Sequence, residues 1–83
     1  MTRETLVRRL LYRSRSTGTK ELDLWLSRFA EESLAQMSDA GLAEYERLLG
    51  LPHDRLWAWL SGQASAPLDG PVARALAAFR LTG

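Results

Sequence analysis

Every apolar stretch of this 83-residue chain repeats with the three- and four-residue spacing of a helix face. No segment alternates apolar and polar residues as a half-buried strand does. That one property restricts the chain to an all-α fold. In the first segment Leu6, Val7, Leu10 and Leu11 share a stripe, with arginines on the other faces. The spacing predicts a helix from Thr2 or Arg3 to about Arg15, broken by Ser16-Thr17-Gly18. A second helix begins near Thr19 and runs to about Leu34. Leu22, Trp25, Leu26, Phe29 and Ser33 lie on its core side, and Leu24 falls towards the other side. Ser38-Asp39 reads as a capping pair for a third helix, Asp39 to Leu49, with Leu42, Tyr45, Leu48 and Leu49 as its stripe and Gly50 as its C-cap. Pro52 suits the first turn of a fourth helix, which carries Leu56, Trp57, Trp59 and Leu60 and stops at Gly62. Residues 63–71 are rich in small residues, proline and glycine and read as a loop. Asp69-Gly70-Pro71 opens a fifth helix whose stripe is Val72, Leu76 and Phe79. The expectation is one domain over residues 1–83, a compact bundle of about five helices with short connections.

A chain of this length buries only about 60–65% of its unfolded surface, so its core is thin. It contains no cysteine, which removes disulfides, thiolate metal sites and a cysteine nucleophile. Apolar packing must hold it, and 46% of its residues are hydrophobic, three of them tryptophan. Trp25 and Trp57 fall on core stripes and read as structural. Trp59 lies two residues beyond Trp57, about 200° round the helix, so both cannot face one core. Trp59 is left open between covering another element and meeting a partner. No apolar run approaches the ~20 residues that span a bilayer, and Met1-Thr2-Arg3-Glu4 lacks a signal peptide's apolar stretch. A reducing compartment such as a bacterial cytoplasm is the simplest expectation, with no membrane insertion.

The net charge of +1 hides an asymmetry. Residues 1–20 hold six basic side chains against one acid, a net +5, and the rest hold five arginines against nine acids, a net −4. Two readings stand: a solvated basic helix face with no partner, or a patch that meets phosphate or an acidic surface. A nucleic-acid binder would use Arg8, Arg9, Arg13 and Arg15 on phosphates. The acidic remainder argues against it. So does the fourth helix, which as the reading helix of a helix-turn-helix would carry two tryptophans and few amides or basic groups.

An enzyme reading finds little support. His53 is the lone histidine, it follows Pro52, and it reads as a surface residue in the first turn of helix four. No pair of metal ligands sits a helical turn apart, and the glycines form no phosphate-cradling loop. Glu31 and Glu32 are adjacent and so point to different sides of their helix.

The stretch least explained by packing is Arg13-Ser14-Arg15-Ser16-Thr17-Gly18-Thr19-Lys20-Glu21-Leu22-Asp23: a basic helix end, a small polar turn with one glycine, then an acidic helix start. Gly18 allows a tight turn and close approach by a partner. Glu21 can cap the new helix or pair with a basic group elsewhere. By itself the stretch also reads as a plain glycine-terminated helix followed by an ordinary N-terminal turn.

Thr17-Gly18-Thr19-Lys20-Glu21 resembles the Arg-Gly-x-x-Glu signature of the FAD assembly factors of succinate dehydrogenase, with Thr17 where the family has arginine and Ser16 before it, a position often basic. The resemblance continues through Asp23 and Phe29, then Glu44-Tyr45-Glu46-Arg47-Leu48-Leu49 for the third helix. Asp54-Arg55-Leu56-Trp57-Ala58-Trp59-Leu60 is similar to the fourth. It implies a five-helix protein without a cofactor of its own, a monomer when free. Such a protein binds the flavoprotein subunit of succinate dehydrogenase, and in bacteria also fumarate reductase, and promotes covalent attachment of FAD that the client carries. The contact implied is the turn: Gly18 and Glu21 first, then Arg13, Arg15, Thr17 and Asp23. Arg13 lies about one helical turn before Thr17, and Arg15 two residues before it; either stands in for the missing arginine if helix one continues far enough. The alternative is a small nucleic-acid-binding or antitoxin-like interaction protein using the basic first helix.

Overall fold

The computed structural model describes residues 2–79, and within them five α-helices and one short 3₁₀ turn succeed one another with no strand. Helix α1 is Arg3–Ser14, α2 Lys20–Ser33, α3 Asp39–Leu49, α4 His53–Leu60 and α5 Pro71–Ala78. The all-α expectation holds, with helix ends within two residues of the sequence reading.

Each start has a local cause. The Thr2 hydroxyl accepts from the Thr5 amide at 3.2 Å, and the Ser38 hydroxyl from the Gly41 amide at 3.1 Å, satisfying first-turn donors of α1 and α3. Pro52 sits at the N-cap of α4, one residue outside the helix, in an extended conformation that proline favours. Pro71 occupies the first turn of α5, where a missing N–H costs nothing. After Ser33 the chain tightens into the 3₁₀ turn Leu34–Gln36. The Arg3 guanidinium of α1 closes over it, donating to the Met37 carbonyl, to the Ala35 carbonyl at 3.5 Å and to Asp39 at 2.9 Å. A cation thus meets carbonyls that the helix end leaves unpaired.

Helix α1 packs on α2 and α3, and α3 on α5. The core is Leu10 of α1, Leu22, Leu26, Phe29 and Ala30 of α2, Leu34, and Leu42, Tyr45 and Leu48 of α3. Leu56 and Trp59 of α4 and Val72, Ala73 and Leu76 of α5 complete it. Full burial of each leucine contributes about 1.5–3 kcal/mol. Phe29 of α2 links α3 to the residue that follows α5, its ring centroid 5.8 Å from that of Tyr45 and 5.7 Å, edge-on, from that of Phe79.

The assignment of Trp57 to the core is wrong, and Trp59 takes its place. Leu56 is buried, and Trp59 three residues later lies on the same side of α4; Trp57 stands about 100° away and is exposed. Trp25 is half-buried and its indole N–H donates to the Leu76 carbonyl at 3.2 Å, which ties α2 to α5.

Two buried polar groups organise this core. Ser14 donates to the Leu10 carbonyl at 2.7 Å and its oxygen lies 2.6 Å from the Tyr45 hydroxyl. With its one proton on the carbonyl, Ser14 accepts from Tyr45. Glu44 of α3 accepts from the Ala73 amide at 2.8 Å and so caps the first turn of α5 with a carboxylate. Gly70 makes room for it: a Cβ there would overlap the Glu44 carboxylate.

Candidate partner-binding site

The α1–α2 turn is built from both sides. Helix α1 ends at Ser14, whose buried hydroxyl anchors the last turn to Tyr45 of α3. Arg15 is already outside the helix, its amide donating to the Tyr12 carbonyl at 3.1 Å. The condition under which α1 would carry Arg13 and Arg15 on past the turn is therefore not met. Gly18 follows with φ +114°, a conformation L-residues rarely adopt, and space around it is open apart from the His53 ring.

The clamp of the turn is Asp23. Its carboxylate accepts from the Thr17 amide at 2.7 Å and from the Thr17 hydroxyl. A helix-start aspartate reaching back to an amide before its helix closes the turn as a cap does. Thr19, at the formal N-cap, makes no capping bond, and its buried hydroxyl has no partner among the described residues. Glu21 does not cap α2 either. It stands exposed in the first turn with no side-chain partner among the described residues.

The arginines of the N-terminal segment divide. Arg9 pairs with Glu46 of α3 at 2.9 Å, and Arg13 reaches the same oxygen only at 3.9 Å. Arg15 lies 3.6 Å from Glu31 of α2. Arg3 is engaged with Asp39. Most of the basic excess is thus answered by acids of the chain itself, which weakens the phosphate-binding reading. Arg15 is drawn along α2, whereas Arg13 shares a cleft with Thr17.

That cleft, about 380 Å³, has Tyr12, Arg13, Ser16 and Thr17 on one side and, on the other, Leu51 and Pro52 of the α3–α4 connection with His53 at the start of α4. Tyr12 is 71% exposed. The His53 Nδ1 would sit 3.9 Å from a Cβ on Gly18, so the histidine lies against the glycine of the turn. His53 is exposed, as the sequence suggested, but its neighbour is a residue far away in the chain. No spacing in the sequence announces that contact. Of the six residues singled out from the sequence, the structure brings Arg13 and Thr17 together at the cleft, joins Thr17 to Asp23, leaves Glu21 open and turns Arg15 towards Glu31.

The fold and site define a small all-α domain with a glycine turn at positive φ and an exposed, uncommitted carboxylate beside it. The chain belongs to the family described as the flavinator of succinate dehydrogenase, whose model matches residues 8–80. It is 42% identical over 65 residues to the protein named succinate dehydrogenase assembly factor 2, mitochondrial, of Mycosarcoma maydis, which covers 78% of this chain and 27% of the relative. To the protein of that name from Meyerozyma guilliermondii it is 48% identical over 58 residues, covering 70% and 43%. To that of Schizosaccharomyces pombe it is 39% identical over 66 residues, covering 80% and 48%. The chain spans about a quarter to a half of the length of these relatives. No solved structure matches it.

Proposed function

We propose that this protein is an assembly factor that binds the flavoprotein subunit of succinate dehydrogenase and promotes covalent attachment of its FAD. Family membership supports the reading, and the observation that carries it is Glu21. A solvent-facing carboxylate with no side-chain partner among the described residues stands three residues after a glycine held at positive φ, on a turn locked by Thr17 and Asp23. A preorganised turn loses little entropy on docking, and a free carboxylate offers a basic group of the client a charge-assisted hydrogen bond. The factor holds no flavin. It acts by binding, and the client performs the chemistry on itself once flavin and acceptor side chain are held in reacting geometry. Fumarate reductase, whose flavoprotein presents the same kind of task, is a second client. The free protein is a monomer. Among the described residues no helix is long and apolar enough to cross a membrane. The relatives are named mitochondrial; in a bacterial cell the corresponding compartment is the cytoplasm.

The test is co-purification with a succinate dehydrogenase flavoprotein subunit, followed by in-gel fluorescence of covalent flavin. Capture with raised flavin is the expected result. Capture without flavin separates binding from maturation and points to Thr17. A folded protein that captures nothing removes the assembly-factor reading.

A further inference from the structure

The cleft beside Gly18 is not accounted for by the turn alone. Its lining contains a guanidinium, an imidazole and three hydroxyls, those of Tyr12, Ser16 and Thr17, the last already bonded to Asp23, and no acid. Arg13 is only loosely engaged, because Arg9 holds the Glu46 oxygen a full ångström closer. An arginine has five N–H donors, so most of those on Arg13 stay uncommitted. Neither His53 nor the Tyr12 hydroxyl has a side-chain partner among the described residues. Between these groups lie the half-buried side chains of Leu49 and Leu51. A loosely paired cation, hydrogen-bonding groups and apolar surface, with no acid in the lining, describe a receptor for a carboxylate carried on an apolar segment. Continuity with the turn decides whose segment it is. His53 lies against Gly18, so whatever approaches the glycine closely also meets the histidine.

We propose that this cleft seats a surface loop of the flavoprotein client that places an aspartate or glutamate between Arg13 and His53 and an apolar side chain on Leu49 and Leu51. The assignment rests on the assembly-factor reading and extends the contact from the α1–α2 turn to the α3–α4 connection. His53 and Tyr12 then contribute to affinity although neither belongs to the signature turn.

The experiment measures equilibrium affinity for the isolated flavoprotein subunit with the wild type, His53→Asp, His53→Arg, Tyr12→Glu and Glu21→Ala, each checked by thermal melting. His53 and Tyr12 are exposed; an acid in the first turn of α4 suits the helix dipole, and one in the last turn of α1 opposes it only weakly at an exposed position, so both acidic variants should fold. An acid on either wall should weaken binding about tenfold or more, while His53→Arg binds at least as tightly as wild type. If both acidic variants bind like wild type while Glu21→Ala fails, the cleft is not the contact and the assembly-factor reading stands. If His53→Arg is weakened as much as His53→Asp, the site reads shape and the carboxylate assignment falls. If the wild type does not bind the subunit, both readings fall together.

Discussion

Thr17 and Asp23 close the α1–α2 turn on each other: the amide and the hydroxyl of the threonine both donate to one carboxylate oxygen of the aspartate. The residue standing where the family has arginine is thus engaged in holding its own loop. Asp23, drawn from sequence as a contact residue, faces inward. Replacing Asp23 by alanine leaves two donors unanswered at a part-buried site and should cost about 1–2 kcal/mol, read from urea unfolding. Thr17→Val keeps the amide bond and should cost less than half as much. Equal stability of Asp23→Ala and wild type would show that the turn needs no clamp.

Thr17→Arg retains that amide bond while adding a guanidinium at the mouth of the cleft. The fold should survive, and capture of the flavoprotein and covalent flavin should both rise. No gain in either would mean that Arg13, on the same cleft, already does the arginine's work.

Glu21 has no side-chain partner to lose among the described residues. Glu21→Ala should shift stability by no more than about 0.5 kcal/mol, as exposed substitutions do, yet abolish client capture. A variant that melts well below wild type would show the residue to be structural.

Tyr45 links stability to alkaline pH. Burial pushes its hydroxyl from 10.0 up to about 12, partly offset by Ser14, whose proton turns to the phenolate once it forms, and by the charge of Arg13. The folded protein holds the phenolic proton more tightly than the unfolded chain does. The group's contribution is therefore complete below about pH 10 and is lost as pH rises towards 12, by about 2–3 kcal/mol in all. Unfolding free energies measured from pH 9 to 11.5 should fall more steeply for wild type than for Tyr45→Phe. Below pH 9 the same variant should be about 1–2 kcal/mol less stable, having lost its hydrogen bond to Ser14.

Gly70 and Glu44 form a steric pair. Gly70 has an ordinary extended backbone, so Gly70→Ala is harmful only through the carboxylate it would strike. The single variant should lose about 1–3 kcal/mol, and Glu44→Ala a similar amount by uncapping α5. Glu44→Ala also removes the obstacle, so the double variant should be more stable than the sum of the two predicts. Strict additivity would show that the clash is relieved by movement of α5.

Where spacing carries the information, as in the helices, their stripes and the Ser38 cap, the sequence was enough to place the fold. It failed at Trp57 and Trp59, because two residues 200° apart on a short helix are distinguished only by where neighbouring helices sit. The turn was legible through Gly18, whose positive φ is a local demand. The side-chain pairings of Arg15 with Glu31 and of Arg13 with Glu46, and the nearness of His53 to Gly18, depend on tertiary packing and leave no local trace. Asp23 was legible as a helix-start acid but not as a clamp, since a reach back over six residues competes with solvent exposure at the same position.

The buried bond from Ser14 to Tyr45 has a consequence for how such a surface can change. It fixes, from inside the core, the point and direction in which the chain leaves α1, and Gly18 fixes the way it returns. Residues 15–17 hang between these two anchors, with the Thr17 amide and hydroxyl on Asp23 as a further hold. Recognition chemistry there can be exchanged residue by residue while its address on the molecule stays constant. A library randomised at these three positions should yield mostly folded proteins that differ in which surfaces they prefer.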